Sequence, residues 1–260
     1  LKFGGVSAVT TSHIARKTGF AKKLTASVLA NQAEQGMEVS GLGMFDQGFY
    51  DKVGFGTGSY ENWITFDPAT LNVDYPFRPP KRITKENYEQ VHQAMMSRHK
   101  SHGNVSLHSP QKMKAEMSWT KKSFGLGYYD GPGNSLSHFI WGEMKGDHGP
   151  YTITWRAYQT TDQLMELLTL IKSLGDQVHQ IGTLEFGEIQ LQDLLKQPFR
   201  TKRVTKSGPF EQSLNAVAYW QIRILDLNAC LSKTHLNTPP LKFNLQITDP
   251  VEEHLDEGSN

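Results

Sequence analysis

Cysteine is almost absent from this sequence: Cys230 stands alone among 260 residues. A single thiol excludes an internal disulfide framework and a cysteine-rich zinc site, and it suits the reducing cytosol. Long apolar runs are missing as well. No stretch approaches the ~20 apolar residues that span a bilayer, and no signal-peptide core is present. Nor does either charge dominate, since Lys+Arg 27 against Asp+Glu 26 leaves a formal net charge of +1. There is no basic stripe to hold nucleic acid and no acidic tail to keep a segment disordered. With 37% hydrophobic content, what remains is a cytoplasmic globular protein of roughly two domains, with neither nucleic acid nor membrane among its expected partners.

Four histidines cluster. His92, His99, His102 and His108 lie close together, and His99-x-x-His102 has the spacing of a metal pair. No neighbouring cysteine or acidic ligand completes a set of four. The expectation is a polar helix end and loop, without metal.

The chain is organised around residues 6–24. A short β-type run is expected to end near Thr11. A loop then places Arg16 and Lys17 ahead of Gly19, where an amphipathic helix begins with apolar spacing at Phe20, Leu24 and Val28. The first N–H groups of a helix lack internal partners, and the helix dipole adds positive character there, so such a turn can hold a pyrophosphate. Gly19, without a Cβ, would let a phosphate approach the backbone, and Arg16 and Lys17 would add charge-assisted contacts. Met37 to Phe45 reads as a second strand, and the segment after it as a short helix carrying Tyr50 and closed by Gly54. Residues 60–66 read as a mixed-face strand with Asn62, Ile64 and Phe66 on one side, ended by Asp67 and Pro68.

Residues 74–83, rich in proline, form the best linker in the chain. Beyond it, Thr84 is placed to cap a helix that shares Tyr88, Val91 and Met95 on one face. Residues 124–129, 137–144 and 151–157 read as a three-strand meander, with turns at 130–133 and 146–150. Thr161 is expected to cap a helix with Leu164, Leu167, Leu168, Ile171 and Leu174 apolar and Gly175 closing it; a strand over 178–184 follows. This repeats the strand–helix–strand order of the N-terminus, but Gln159 to Asp162 gives the helix an acidic first turn, unsuited to a pyrophosphate. After a basic, irregular stretch at 202–206, Tyr219 to Leu225 reads as a strand with Trp220, Ile222 and Ile224 facing one way and Gln221 and Arg223 the other. Asp226 caps a short helix bearing Leu227 and Leu231, and Leu241 to Ile247 is the cleanest alternating strand of all.

Two motifs, Arg16-x-x-Gly19-x-Ala21 and Phe49-Tyr50-x-x-x-Gly54-Phe55, about thirty residues apart with a strand between them, resemble the GNAT acyltransferase superfamily. The element order along the whole chain resembles the enhanced-intracellular-survival type. Those proteins join a catalytic GNAT domain, a GNAT-like domain without a cofactor site and a sterol-carrier-protein-like domain. The resemblance implies an α/β (α+β) fold with a GNAT-like mixed sheet flanked by helices. It would divide the chain into the C-terminal part of a catalytic domain (1–73), the linker (74–83), a second GNAT-like domain (84–212) and the start of a sterol-carrier-like domain (213–260). Because the sequence begins at Leu1 a few residues before a strand, and ends at Asn260 without a closing element, it reads as a fragment lacking much of the acceptor pocket.

Carried over by position, the resemblance implies acetyl-CoA contacts with the backbone of Val9 and Thr11. The pyrophosphate would lie on Arg16, Lys17, Thr18, Gly19, Phe20 and Ala21, the last two through backbone N–H groups, and Tyr50 would be the general acid. Many relatives carry another base where Thr18 stands here. The implied reaction is direct transfer of acetyl from the thioester to an acceptor amine, of aminoglycoside or peptidyl lysine type, in a homo-oligomer. A neutral amine attacks, backbone N–H groups at a splayed strand hold the oxyanion, and Tyr50 protonates the departing thiolate. The competing reading is a non-catalytic protein that binds an apolar ligand in its C-terminal part. Elemental analysis of the purified protein is expected to find no stoichiometric zinc; one zinc per chain would overturn the reading of the histidines.

Overall fold

The computed structural model describes residues 1–44, 46, 48–100, 109–187, 189–197, 212–235, 237, 239–240 and 242–251. Expectations placed on His102, His108, Phe45, Leu241, residues 202–206 and the last nine residues therefore lie outside the described residues. In chain order the strands and helices begin with β1 (Phe3–Gly5), α1 (Phe20–Glu34), β2 (Val39–Gly43), β3 (Gly56–Thr57) and β4 (Glu61–Phe66). Next come β5 (Lys81–Arg82), α2 (Tyr88–Ser97), α3 (Pro110–Trp119), β6 (Ser123–Tyr128), β7 (His138–Met144) and β8 (Tyr151–Ala157). The last are α4 (Thr161–Ser173), β9 (Ile181–Leu184), β10 (Ser213–Val217), β11 (Trp220–Ile224) and α5 (Leu227–Ser232). They form two compact units: residues 1–60 with 218–260, and residues 61–217.

The first unit holds a four-stranded sheet in the order β1-β2-β11-β3. β1 and β2 run parallel with Phe3 opposite Val39 and Gly5 opposite Gly41, a pairing that needs a crossover, which α1 supplies. One further bond, Val6 N–H to the Gly41 carbonyl at 2.9 Å, closes this ladder. β1 thus stops at Gly5 rather than near Thr11, and Ala8, at φ 57°, takes the chain away from β2. Beneath the sheet, Ala26 and Leu29 of α1 pack with Leu42, Tyr50, Val53 and Phe55.

Of the apolar spacing that marks α1, only Val28 packs against the core. Phe20 and Leu24 are each 61% exposed, while Thr25, Ala26 and Leu29 face the core. Small residues let the helix lie close to the sheet, which the hydrophobic period alone does not reveal. β11 departs from pattern in a second way. It sits between β2 and β3 with Gln221 and Arg223 turned inward (0% and 6% exposed), and Trp220, Ile222 and Ile224 outward. The two faces are separated as the alternation predicts, but the polar one is inside. Of the strand expected over Leu241 to Ile247, the described residues 242–247 form none, and Phe243, Leu245 and Ile247 are exposed; no ladder partner lies beside them among the described residues.

The second unit is a seven-stranded sheet, β10-β4-β9-β8-β7-β6-β5. β8 and β9 are parallel around α4, and the other pairs are antiparallel. β4, on the N-terminal side of the proline-rich stretch, is hydrogen-bonded into this sheet, and β10 lies on its outer edge. β7 is buried on both faces. Ile140 packs with Ile64, Phe66, Ile153 and the α4 residues Leu164, Leu167, Leu168 and Ile171. Phe139 and Trp141 pack with Val91 and Ala94 of α2 and Met113 and Met117 of α3. The meander and the α4 stripe are where their periodicity places them. The α4 N-cap is Thr160, one residue before Thr161; its Oγ1 accepts from the Gln163 N–H at 3.3 Å. Thr84 shares a capping box with Asn87 ahead of α2, and His99 stacks on Tyr158.

A charged group is set into this unit around Arg78. Its guanidinium donates to both oxygens of Asp130 (2.8 and 2.5 Å) and both of Glu166 (2.7 and 2.9 Å). Glu166 also meets His138 Nε2 at 2.7 Å, while His138 Nδ1 lies 2.8 Å from the Ser137 hydroxyl. Asp130, His138 and Glu166 are the only cluster of metal-type ligands among the described residues, and Arg78 takes both carboxylates. Burial holds the His138 imidazole below the usual histidine range, although Glu166 pulls it upward. Burial would raise Glu166, but its bonds from Arg78 and His138 more than offset this and leave it low. In both cases the unfolded chain binds protons more readily than the folded one, so stability is full above the unfolded values and is lost as pH falls. The thermal midpoint of this unit is expected to be flat above pH ~7, to decline below ~6.5 and to decline again below ~4.3. His138→Gln should remove the first decline and keep the second. A midpoint independent of pH between ~7 and ~5 would contradict this.

Candidate functional site: the groove at the start of the first helix

After the splay of β1 from β2, residues 6–12 run without regular structure to a single 3-10 turn at His13–Ala15. Arg16 is then extended, Lys17 has φ 64° and Gly19 has φ 86°, immediately ahead of Phe20. Two left-handed residues in a row of four swing the chain abruptly into α1, and the Thr18 hydroxyl braces the bend on the Ala15 carbonyl at 2.6 Å. The first helical bond is Lys23 N–H to the Gly19 carbonyl at 3.0 Å.

No side chain caps α1, and no acidic residue lies in its first turn. The contrast with α4 is instructive, since there Thr160 caps the helix and Asp162 sits in the first turn. The start of α1 therefore keeps the partial positive charge of its leading N–H groups. Arg16, Lys17, Lys22 and Lys23 add to it, and the first acidic residue of the chain is Glu34. The position where a Gly19 Cβ would stand has nothing within 4 Å, so the backbone is open to an incoming group.

Beside this turn lies a groove of about 410 Å³ lined by Thr10, Thr11, Ser12, Phe20, Ala21, Lys23, Leu24 and Ser27. Of the residues singled out from sequence, the structure brings Thr11, Phe20 and Ala21 to the groove. Arg16, Lys17, Thr18 and Gly19 form the exposed loop leading into it. Val9 is half-buried against the core of the unit. Sequence reasoning missed Thr10, Ser12, Lys23, Leu24 and Ser27. Leu24 was the available signal: the i, i+4 pair it makes with Phe20 reads as a core stripe but is the groove wall.

Tyr50 does not line the groove. It opens the 3-10 turn Tyr50–Val53, is 3% exposed, and meets Phe49 and Phe55 edge-on at centroid distances of 4.9 and 6.0 Å. Burial pushes its phenol above the ordinary tyrosine value, so it is protonated throughout the neutral range.

The mixed sheets, each containing a parallel pair wrapped around a helix, have the GNAT fold. Neither family models nor curated proteins match the sequence, and the likeness is to solved structures. A probable N-acyltransferase from Enterococcus faecalis V583 shares 18% identity at TM-score 0.67, over 89% of this chain and 56% of that one. Eis1 from Mycobacterium abscessus shares 12% at TM-score 0.66, over 88% and 58%. A GCN5-related N-acetyltransferase from Anabaena variabilis ATCC 29413 shares 18% at TM-score 0.63, over 86% and 55%. At these identities the likeness shows the fold. The chain spans a little over half the length of each.

Because Gly19 is left-handed, Gly19→Ala is expected to cost about 1–2 kcal/mol in chemical denaturation although nothing obstructs the methyl group. Gly19→Asn, which tolerates this conformation better, should cost less. Equal stability of all three proteins would show that the loop does not hold this geometry.

Proposed function

We propose that the chain carries the coenzyme-binding part of an acetyl-CoA-dependent N-acetyltransferase that passes acetyl directly to an acceptor amine. The observation that carries the reading is the uncapped, cation-rich start of α1 opening onto a groove between residues 10–12 and the first turns of the helix. The residues fit a pyrophosphate: Gly19 leaves space at the backbone, and the leading N–H groups have no helical acceptor. Arg16 and Lys17 would pair with its charge, with the N–H groups of Thr18 to Ala21 as donors and the backbone of Val9 and Thr11 beside the coenzyme. The apolar surfaces of Phe20 and Leu24 suit its less polar arm. Bound there, acetyl-CoA supplies an activated thioester.

The chain's own contribution is to hold that group out of water, to offer backbone N–H groups to a developing oxyanion and to keep a proton ready on Tyr50. Burial serves the last of these, since a phenol raised above its ordinary value retains its proton at neutral pH. The acceptor is an aminoglycoside-type or peptidyl amine, and the working protein is a homo-oligomer in the cytoplasm; both belong to the proposal.

Calorimetry with acetyl-CoA tests the reading. The parent chain should bind, Arg16→Ala should lose about 10-fold or more in affinity, and Gly19→Asp should lose binding while Gly19→Asn keeps it. In the full-length protein, Tyr50→Phe should bind as the parent does but turn over at least ~10-fold more slowly. A folded parent that does not bind acetyl-CoA would remove the proposal.

A further inference from the structure

Two side chains of β11 reach across the interior of the first unit to the turn that carries Tyr50. Gln221 donates from Nε2 to Asp51 Oδ1 at 2.7 Å, and Arg223 donates from Nη1 to the Val53 carbonyl at 2.5 Å. Both donors lie 170 residues along the chain from their acceptors. The guanidinium sits directly on the residue that closes the turn, because a Cβ on Gly54 would lie 2.0 Å from Nη1. Gly54 also has φ 81°, so its lack of a side chain is needed twice over. Arg223 Nη2 is in turn held by both oxygens of Asp249 at 2.6 Å, and Asp249 accepts the Val251 N–H at 2.9 Å. Burial would raise the Asp249 carboxyl, but these bonds outweigh it and keep the group low and charged. Val251 itself packs in the core with Tyr50.

This arrangement costs stability that an apolar interior would not. Arg223 Nε, Gln221 Oε1 and the hydroxyl of Ser40, which lies opposite Arg223 in the ladder, are buried without a hydrogen-bond partner among the described residues. Each such group is destabilising, and apolar replacements for buried ion pairs are commonly neutral or stabilising. The strand has three large apolar side chains available, Trp220, Ile222 and Ile224, and faces them outward. Two of the three polar partners, Asp51 and the Val53 carbonyl, lie in one short turn, and the third, Asp249, holds the guanidinium from the other side.

We propose that Arg223 and Gln221 are positioning residues for Tyr50: they clamp the Tyr50–Val53 turn at its second and fourth residues and fix the direction of the phenol. The role rests on the acetyltransferase reading of Tyr50, and it makes residues 218–251 part of the candidate catalytic unit. Arg223 and Gln221 touch no reacting atom in this scheme.

The test uses the protein labelled at the tyrosine ring carbon Cζ, with the Tyr50 resonance followed by NMR against pH. In Arg223→Met and in Gln221→Leu the turn loosens and water gains access, so Tyr50 should ionise at lower pH than in the parent. Tyr128 and Tyr151 of the second unit serve as internal controls and should not move. Acetyl-CoA affinity should stay within about 2-fold while turnover in the full-length protein falls ~10-fold, a kcat effect without a KM effect. A Tyr50 titration and resonance unchanged in the folded variants would overturn the clamp. Should Arg223→Met fail to fold, Gln221→Leu decides alone, since Asp51 is exposed and water can take the place of the lost bond. A parent that fails to bind acetyl-CoA would sink the acetyltransferase reading, and the NMR outcome would still judge the clamp.

Discussion

Between β2 and β3, β11 hydrogen-bonds along both of its edges, and the first unit depends on that double ladder. Among the described residues β3 has no other strand beside it, and β2 would otherwise be paired only through its short parallel contact with β1. Parallel pairing over three residues is a weak foundation for a sheet. An antiparallel strand of five residues inserted at its centre is a firmer one, and it brings Gln221 and Arg223 to the underside of the Tyr50 turn at the same time. The interaction that completes the sheet also sets the environment of the proposed proton donor.

The candidate site is then a matter of what one helix leaves undone. α1 and α4 each cross between parallel strands, so their backbones pose the same electrostatic problem at the N-terminus. α4 solves it internally with Thr160 and Asp162. α1 begins after a left-handed glycine, has no cap and adds lysines, leaving a positive, open groove against residues 10–12. One unit thus leaves a helix start uncapped and cationic, whereas the matching place in the other is already satisfied.

How much of this could be read beforehand differs from element to element. α4 and the β6–β8 meander were legible because each is buried by its immediate surroundings, so a local period maps directly onto a core face, and the exposed Thr84 cap was legible because a capping box is made within four residues. Gly19 and the cations before it were legible because backbone conformation and charge are local properties. The buried face of α1 was not, since Thr25 and Ala26 carry no hydrophobic signal and are inside only because the sheet lies close above them. For the same reason the period at Phe20 and Leu24 gave no sign that Leu24 lines a groove.

The sequence by itself determined where helices and strands could form, which helix start is basic and uncapped, and that β11 has one apolar and one polar face. Tertiary structure decided which of those faces is buried, that β4 joins the sheet of residues 61–217, and that a strand near residue 222 completes a sheet begun near residue 3. The division follows from range. Propensity, capping and periodicity act over a few residues, but an inward-facing arginine is stable only if a carbonyl and a carboxylate distant in sequence meet it, and Val53 and Asp249 are brought there by the fold alone.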